Sequence, residues 1–272
     1  MGDDSKPSSS LDAVKGIVQA IPVYQDAIQP AAKELGKSLE TVAKAIGVAL
    51  LPVSALVWGY EKIRDYLLPA LAQRLAKTPE EHLQTPSPLV AGPALEGLRF
   101  AGHEPSLREL YANLLATSID ATTARDAHPA FVQILRELSP DEAKVIALFA
   151  ARESFPLINL RIQVKDPEGQ IERYRHFSLL GKDAACARPG LVPTYIENLC
   201  RLGLLEIPPL RYLVDSTLYE PLESDPDYKS LVAAVQQKDG QHLTERELLR
   251  ITSMGRQFLR ACVLLHESAR PS

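Results

Sequence analysis

Ile158-Asn159-Leu160-Arg161-Ile162-Gln163-Val164 is the stretch in which the 272-residue chain changes its period. Apolar and polar residues alternate here at every second position, the repeat of a β-strand with one face toward a core. Asp166-Pro167-Glu168-Gly169 follows as a turn, and residues 171–177 supply the returning strand, so a β-hairpin is predicted. Upstream the chain reads as helix. Ser139-Pro140-Asp141-Glu142 is a helix start, with a serine cap, proline at the first helical position, and a glutamate placed to reach back to the capping amide. Val145, Ile146, Leu148 and Phe149 carry that helix's apolar face.

Downstream of the hairpin, Leu191-Val192-Pro193 leads into a helix over 194–202, closed by Gly203 as a left-handed cap. Leu204-Leu205-Glu206-Ile207 reads as a strand and stops at Pro208-Pro209. A short helix near 228–237, a strand over 247–251 and a last helix over 253–266 capped by Thr252 complete the chain. That order resembles a winged helix-turn-helix. Toward the N-terminus, apolar residues from Leu35 to Leu71 recur every three or four positions, predicting one or two long helices interrupted at Pro52 and Pro69. Pro79, Pro86, Pro88, Gly92 and Pro93 predict an irregular connection over 78–93. Helices are expected from Glu104-Pro105-Ser106, with Leu107, Leu110, Tyr111, Leu114 and Ile119 on one face, and again from His128-Pro129.

The predicted fold is therefore α+β and mainly α. A polar, disordered tail over 1–10 precedes a helical domain over 11–138 and a winged-helix-like domain over 139–272 that contains the hairpin. Lys and Arg number 30 against 34 Asp and Glu, giving −4, so the surface as a whole is no cationic sleeve for nucleic acid. Three cysteines without CxxC spacing disfavour both a disulfide framework and a thiolate metal site, and fit a reducing cytosol.

Chemical motifs are sparse. The six histidines form no pair at metal-ligand spacing, there is no HExxH, and no metal is expected. GxGxxG, a P-loop and a GxSxG elbow are all missing, so no cofactor, no small-molecule substrate and no catalytic residue are expected. Cys200 and Cys262 lie on apolar helix faces and are read as core. Asp225 and Asp227 are read as turn and cap residues.

Two stretches are candidates for function. Residues 45–60 carry no charge and hold the only tryptophan. At 1.5 Å per residue the run spans about 24 Å, short of a bilayer's core of about 30 Å, so it is either a buried helix or an interfacial segment. Leu50, Leu51, Val53, Leu56, Val57, Trp58 and Tyr60 are its candidate contact residues. The other is the helix of the winged-helix pattern. Thr194, Asn198 and Arg201 would face a nucleic acid, with Arg173 and Arg175 of the hairpin as phosphate contacts; packing or protein contact is the competing use of the same helix.

Certain stretches together resemble a known family: Val23-Tyr24-Gln25-Asp26, Pro30 to Glu34 with Gly36-Lys37-Ser38, Trp58-Gly59-Tyr60-Glu61, Gly92-Pro93-Ala94-Leu95-Glu96, Leu107-Arg108-Glu109-Leu110-Tyr111-Ala112-Asn113-Leu114-Leu115-Ala116, His128-Pro129, and Leu138-Ser139-Pro140-Asp141-Glu142-Ala143. The chain resembles the abortive-infection alpha proteins of bacteria from about residue 20 to about 265. The resemblance implies defence against phage and carries over no active site. The resulting expectation is a non-enzymatic defence protein of the cytoplasm or the inner membrane face, acting on a protein partner or a phage component. A membrane surface and nucleic acid, the latter as a winged-helix regulator, are the alternative partners.

Overall fold

The computed structural model describes residues 57–165, 168–239 and 241–264. It is α+β and mainly helical. Helix α1 (Val57–Leu75) is followed by α2 (Pro88–Ala101), α3 (Pro105–Ile119), α4 (Ala130–Glu137) and α5 (Pro140–Leu148). Strands β1 (Ser154–Lys165) and β2 (Glu168–Phe177) make the hairpin, and α6 (Leu180–Asp183), α7 (Val192–Arg201) and β3 (Leu205–Glu206) come next. The chain closes with α8 (Glu220–Ser224), α9 (Pro226–Asp239), β4 (His242–Ile251), α10 (Ser253–Phe258) and one turn of π-helix (Leu259–Val263).

Local signals explain most of these boundaries. Ser139 and Glu142 form the predicted reciprocal cap, Glu142 N–H donating to Ser139 Oγ at 3.3 Å and Ser139 N–H to Glu142 Oε2 at 2.6 Å. Gly203 sits at φ +72°, and the N–H of Leu204 returns to the carbonyl of Leu199, closing α7 as its glycine predicts. Thr252 Oγ1 caps α10 by accepting from Gly255 N–H at 2.9 Å.

The connection expected over 78–93 is corrected: its second part is the start of α2. Pro88 occupies the first turn, where no amide donor is needed. Pro93 lies inside the helix and leaves without a donor the carbonyl of Leu89, a residue exposed at the helix start.

The four strands form one antiparallel sheet in the order β2-β1-β4-β3. Its two faces have different neighbours. Leu157, Leu249 and Ile251 join a core that runs from Ile63 to Cys262 and takes in α1 to α5, α7, α10 and the π-turn. Ile158, Leu160 and Phe177 join Tyr219, Leu222 and Tyr228 in a smaller core on the opposite face. Alternation in 158–164 predicts one wet face; instead Asn159 is as buried as its apolar neighbours. Both faces of the sheet are covered at its centre, so a polar side chain is enclosed there and has to be satisfied internally.

Helix α3 is the central strut. Asn113 donates through Nδ2 to the carbonyl of Cys262 at 2.9 Å, and Thr117 Oγ1 donates to that of Ala261 at 3.0 Å, so two polar side chains meet backbone acceptors of the π-turn. Arg74 of α1 donates to Asn113 Oδ1 and pairs with Glu109, whose other oxygen accepts from Tyr66 Oη at 2.6 Å.

Gly255 permits the close approach of α10 to β3. A Cβ there would overlap the Leu204 carbonyl oxygen and stand 2.7 Å from Ile251 Cγ1. Alanine in place of glycine stabilises an exposed helix by about 1 kcal/mol. Here Gly255→Ala is expected to lower stability by about 1–3 kcal/mol through overpacking, read as a reduced denaturation midpoint at unchanged slope.

Candidate functional site

Leu50, Leu51, Val53 and Leu56 lie outside the described residues, and Val57, Trp58 and Tyr60 occupy the first turn of α1. No helix among the described residues is long and apolar enough to cross a membrane.

Of the nucleic-acid candidates, Thr194 is exposed on α7 on the same side as Glu197 and Arg201, while Tyr195, Ile196 and Leu199 are buried. Asn198 donates to Glu142 Oε1 at 2.8 Å and to the carbonyl of Glu137 at 3.2 Å. Arg201 donates to Glu137 Oε2 at 2.6 Å and to Asn198 Oδ1 at 2.6 Å. The hairpin's Arg175 pairs with Glu172 at 2.9 Å, and Arg173 is exposed on the same strand. Arg161, Arg246, Arg250 and Arg260 likewise meet Glu245, Glu223, Glu206 and Asp126. Each of these paired arginines has a carboxylate neighbour in this conformation, in exposed ion pairs that are individually weak.

The contacts of Asn198 and Arg201 belong to a polar corner built on the first turn of α5. Asp141 is buried, and its carboxylate accepts from Ala187 N–H at 2.9 Å, Arg188 N–H at 3.0 Å, Tyr195 Oη at 3.0 Å and Lys144 Nζ at 3.2 Å. Burial by itself raises a carboxyl pKa. Here the two amides, with Lys144 and Tyr195, outweigh that and hold the group at about 2. Tyr195 moves the other way, to about 12, through burial and its bond to the carboxylate. Cys186, beside the same carboxylate, is also pushed up by burial, so neither is a ready nucleophile. The corner holds α4, α5, the 186–188 segment and α7 in one arrangement.

A second polar cluster lies on the sheet face that also carries Leu157 and Leu249. Odd-numbered positions of β1 and β4 put Asn159, Arg161, Glu245 and Glu247 on that face. Asn159 Oδ1 accepts from His176 N–H at 2.8 Å, and Arg161 pairs with Glu245 at 2.8 Å. His176 is buried and left-handed at φ +55°, a costly conformation for a non-glycine residue. Its pKa is lowered by burial first and by Arg175 second. The cluster holds the β2 bend through the Asn159–His176 hydrogen bond. The signal for it was Asn159 between two fully buried aliphatic residues, which alternation alone reads as a solvent-facing position.

What the molecule does present is an apolar loop. Between β3 and the 3-10 turn at Ser216–Tyr219, Leu210 is 99% exposed, Val214 98% and Tyr212 64%, with Leu213 turned inward onto the smaller core. Leu213 N–H donates to Tyr219 Oη at 2.8 Å, and Tyr219 Oη donates to the Glu247 carbonyl at 2.8 Å, so the loop is moored to β4. Leu210 is left-handed at φ +57°. Separately, an open groove of about 540 Å³ runs between β4 and α9, lined by residues that include Tyr228, Lys229, Val232, His242, Thr244 and Arg246.

A mainly helical α+β protein held at a buried polar corner, with an apolar loop and a groove as its open surface, is the class the geometry defines. Within that class the chain belongs to the family described as "Abortive infection alpha", whose family model matches residues 60–262. Membership points to abortive infection, a defence against phage, as the resemblance implies. The chain is also similar to a solved structure described as that of the uncharacterized protein from the hydrocarbon-degrading marine bacterium Alcanivorax borkumensis SK2. The identity is 27% over 47% of this chain and 91% of that one, with a TM-score of 0.35. No curated protein matches the chain.

Replacing Asp141 by Asn keeps the shape but sets an amide against donors and removes charge-assisted bonds, each worth about 1.5–3 kcal/mol. Asp141→Asn is expected to destabilise the protein by at least that amount at pH 7. The folded pKa lies below the ordinary 3.8, so the carboxylate's contribution is complete above that value and is lost as pH falls through about 2. Urea unfolding of parent and variant at pH 7 and at pH 2 checks this: the gap should close at the acid end.

Proposed function

We propose that this chain is a non-enzymatic phage-defence protein of the cytoplasm that acts by recognising another protein. The observation that carries the reading is the loop of residues 210–214. Three large apolar side chains stand in water on one short moored segment, two of them almost wholly exposed. Exposed apolar patches of this kind mark interaction surfaces, and a left-handed leucine at the loop's base costs stability without serving the core.

The family membership supports the biological setting, and the net charge of −4 favours a protein partner over nucleic acid. In this reading the α7-β3-β4 unit is a winged-helix-like module used for packing, with Tyr195 and Asn198 of its helix engaged in the polar corner. The uncharged run 45–60 is assigned the effector role in the same proposal, on its lack of charge and its Trp58.

Leu210→Asp with Val214→Asp tests the reading. Both side chains are solvated, so the folded state should change by less than about 0.5 kcal/mol per substitution. Cells carrying the variant at the parent's level should release phage at the yield of unprotected cells. Undiminished protection by a folded, equally expressed variant would remove the loop from the mechanism.

A further inference from the structure

Strand β4 is paired along its whole length on one side only. Its neighbour β1 meets it from Ser154↔Arg250 to Ile162↔His242, whereas β3 meets only Ile251 and Arg250. Pro208-Pro209 follows β3 almost at once, and the first of these prolines falls opposite Leu248, where it has no amide to offer.

The direction of β4's backbone groups follows from two bonds. Ile251 N–H donates to Glu153 on the β1 side, and Thr252 N–H donates to Leu204 on the β3 side. Peptide groups alternate along a strand, so odd-numbered residues of β4 bond to β1 and even-numbered ones point away from it. Thr244 and Arg246 thus direct an N–H and a C=O outward, with no backbone partner among the described residues. An extended chain can pair with such groups in place of water.

The groove between β4 and α9 lies beside this edge. Tyr228 and Val232 give it an apolar floor, which suits alternate side chains of an added strand. Its charge is cationic. Glu223 is engaged by Arg246 at 2.7 Å, leaving Lys229 exposed and without a carboxylate partner among the described residues. Leu210, Tyr212 and Val214 add exposed apolar side chains on the segment that follows β3.

We propose that the free edge of β4 is a strand-addition site for an extended segment of a partner protein, with alternating apolar residues and acidic flanks. The inference rests on the recognition reading above and specifies its partner.

Hydrogen exchange on the full chain tests the geometry first: Thr244 and Arg246 amides should exchange fast while those of Glu245 and Glu247 are protected. A displayed library of random seven-residue peptides, selected on the full chain, should then yield alternating apolar and acidic sequences. The selected peptide, synthesised, should slow exchange at Thr244 and Arg246, and its binding should weaken with salt. Thr244→Pro deletes one outward N–H and leaves the β1 ladder intact, so affinity should fall about tenfold or more, while Thr244→Ala keeps it. Lys229→Glu should weaken the acidic peptide similarly, whether or not the proline variant folds. Protected Thr244 and Arg246 amides in the free protein, no enriched peptide, or equal binding by Lys229→Glu and folded Thr244→Pro would each overturn the proposal. Binding is read on purified protein and defence in infected cells: peptide loss at Thr244→Pro with phage protection intact would leave the edge site standing and overturn its use in defence.

Discussion

A carboxylate taken out of water has to be surrounded by donors, and Asp141 meets that demand with two backbone amides, a phenol and a lysine. Much of the architecture follows from where those donors come from. Lys144 is on the same helix, but Ala187, Arg188 and Tyr195 arrive from beyond the hairpin. Satisfying Asp141 therefore places the chain between α6 and α7, and with it α7 itself, whose Asn198 and Arg201 then reach Glu142 and Glu137. The reciprocal cap on Ser139 and Glu142 fixes where α5 starts and so where the carboxylate stands.

The sheet inherits its position from that corner. Helix α7 leads through Gly203 into β3, β3 pairs with β4, and β4 pairs with β1, which follows directly from α5. The loop of chain from α5 round to β4 is thus closed at the corner and at the sheet. From β4 the chain runs into α10 and the π-turn, where Asn113 and Thr117 of α3 receive its carbonyls. Residues before and after the corner consequently share one core. The same closure leaves β4 longer than its outer partner, because β3 ends at two prolines after only two paired residues.

What was legible in the sequence was local. The cap at Ser139, the glycine at 203 and the threonine at 252 each declare themselves within four residues, because the physics of helix ends acts over that distance; the hairpin was legible too, although Glu168 and Gly169, read as its turn, already belong to β2. The role of Asp141 was not legible: its distant partners lie 46 to 54 residues downstream, and nothing in the Ser-Pro-Asp-Glu pattern names them. Asn159 was misplaced for a related reason. Alternation reports that two faces differ, not that both are covered, so a buried polar residue and a wet one look alike. The engagement of Asn198 by Glu142 and Glu137 is the same lesson on a helix, where a side chain's partners depend on the neighbour that arrives. Pro208-Pro209 was legible as the end of a strand, yet the unpaired edge it leaves on β4 depends on a strand more than thirty residues further on.

The central claim is that the corner joins the helical and sheet portions into one unit that opens as a whole. Native-state hydrogen exchange across a denaturant series measures this directly. The account predicts that the most protected amides of α3 and those of β1 and β4 converge on a single opening free energy, equal to that of global unfolding. Sheet amides that exchange through a separate, lower-energy opening while α3 stays closed would contradict it.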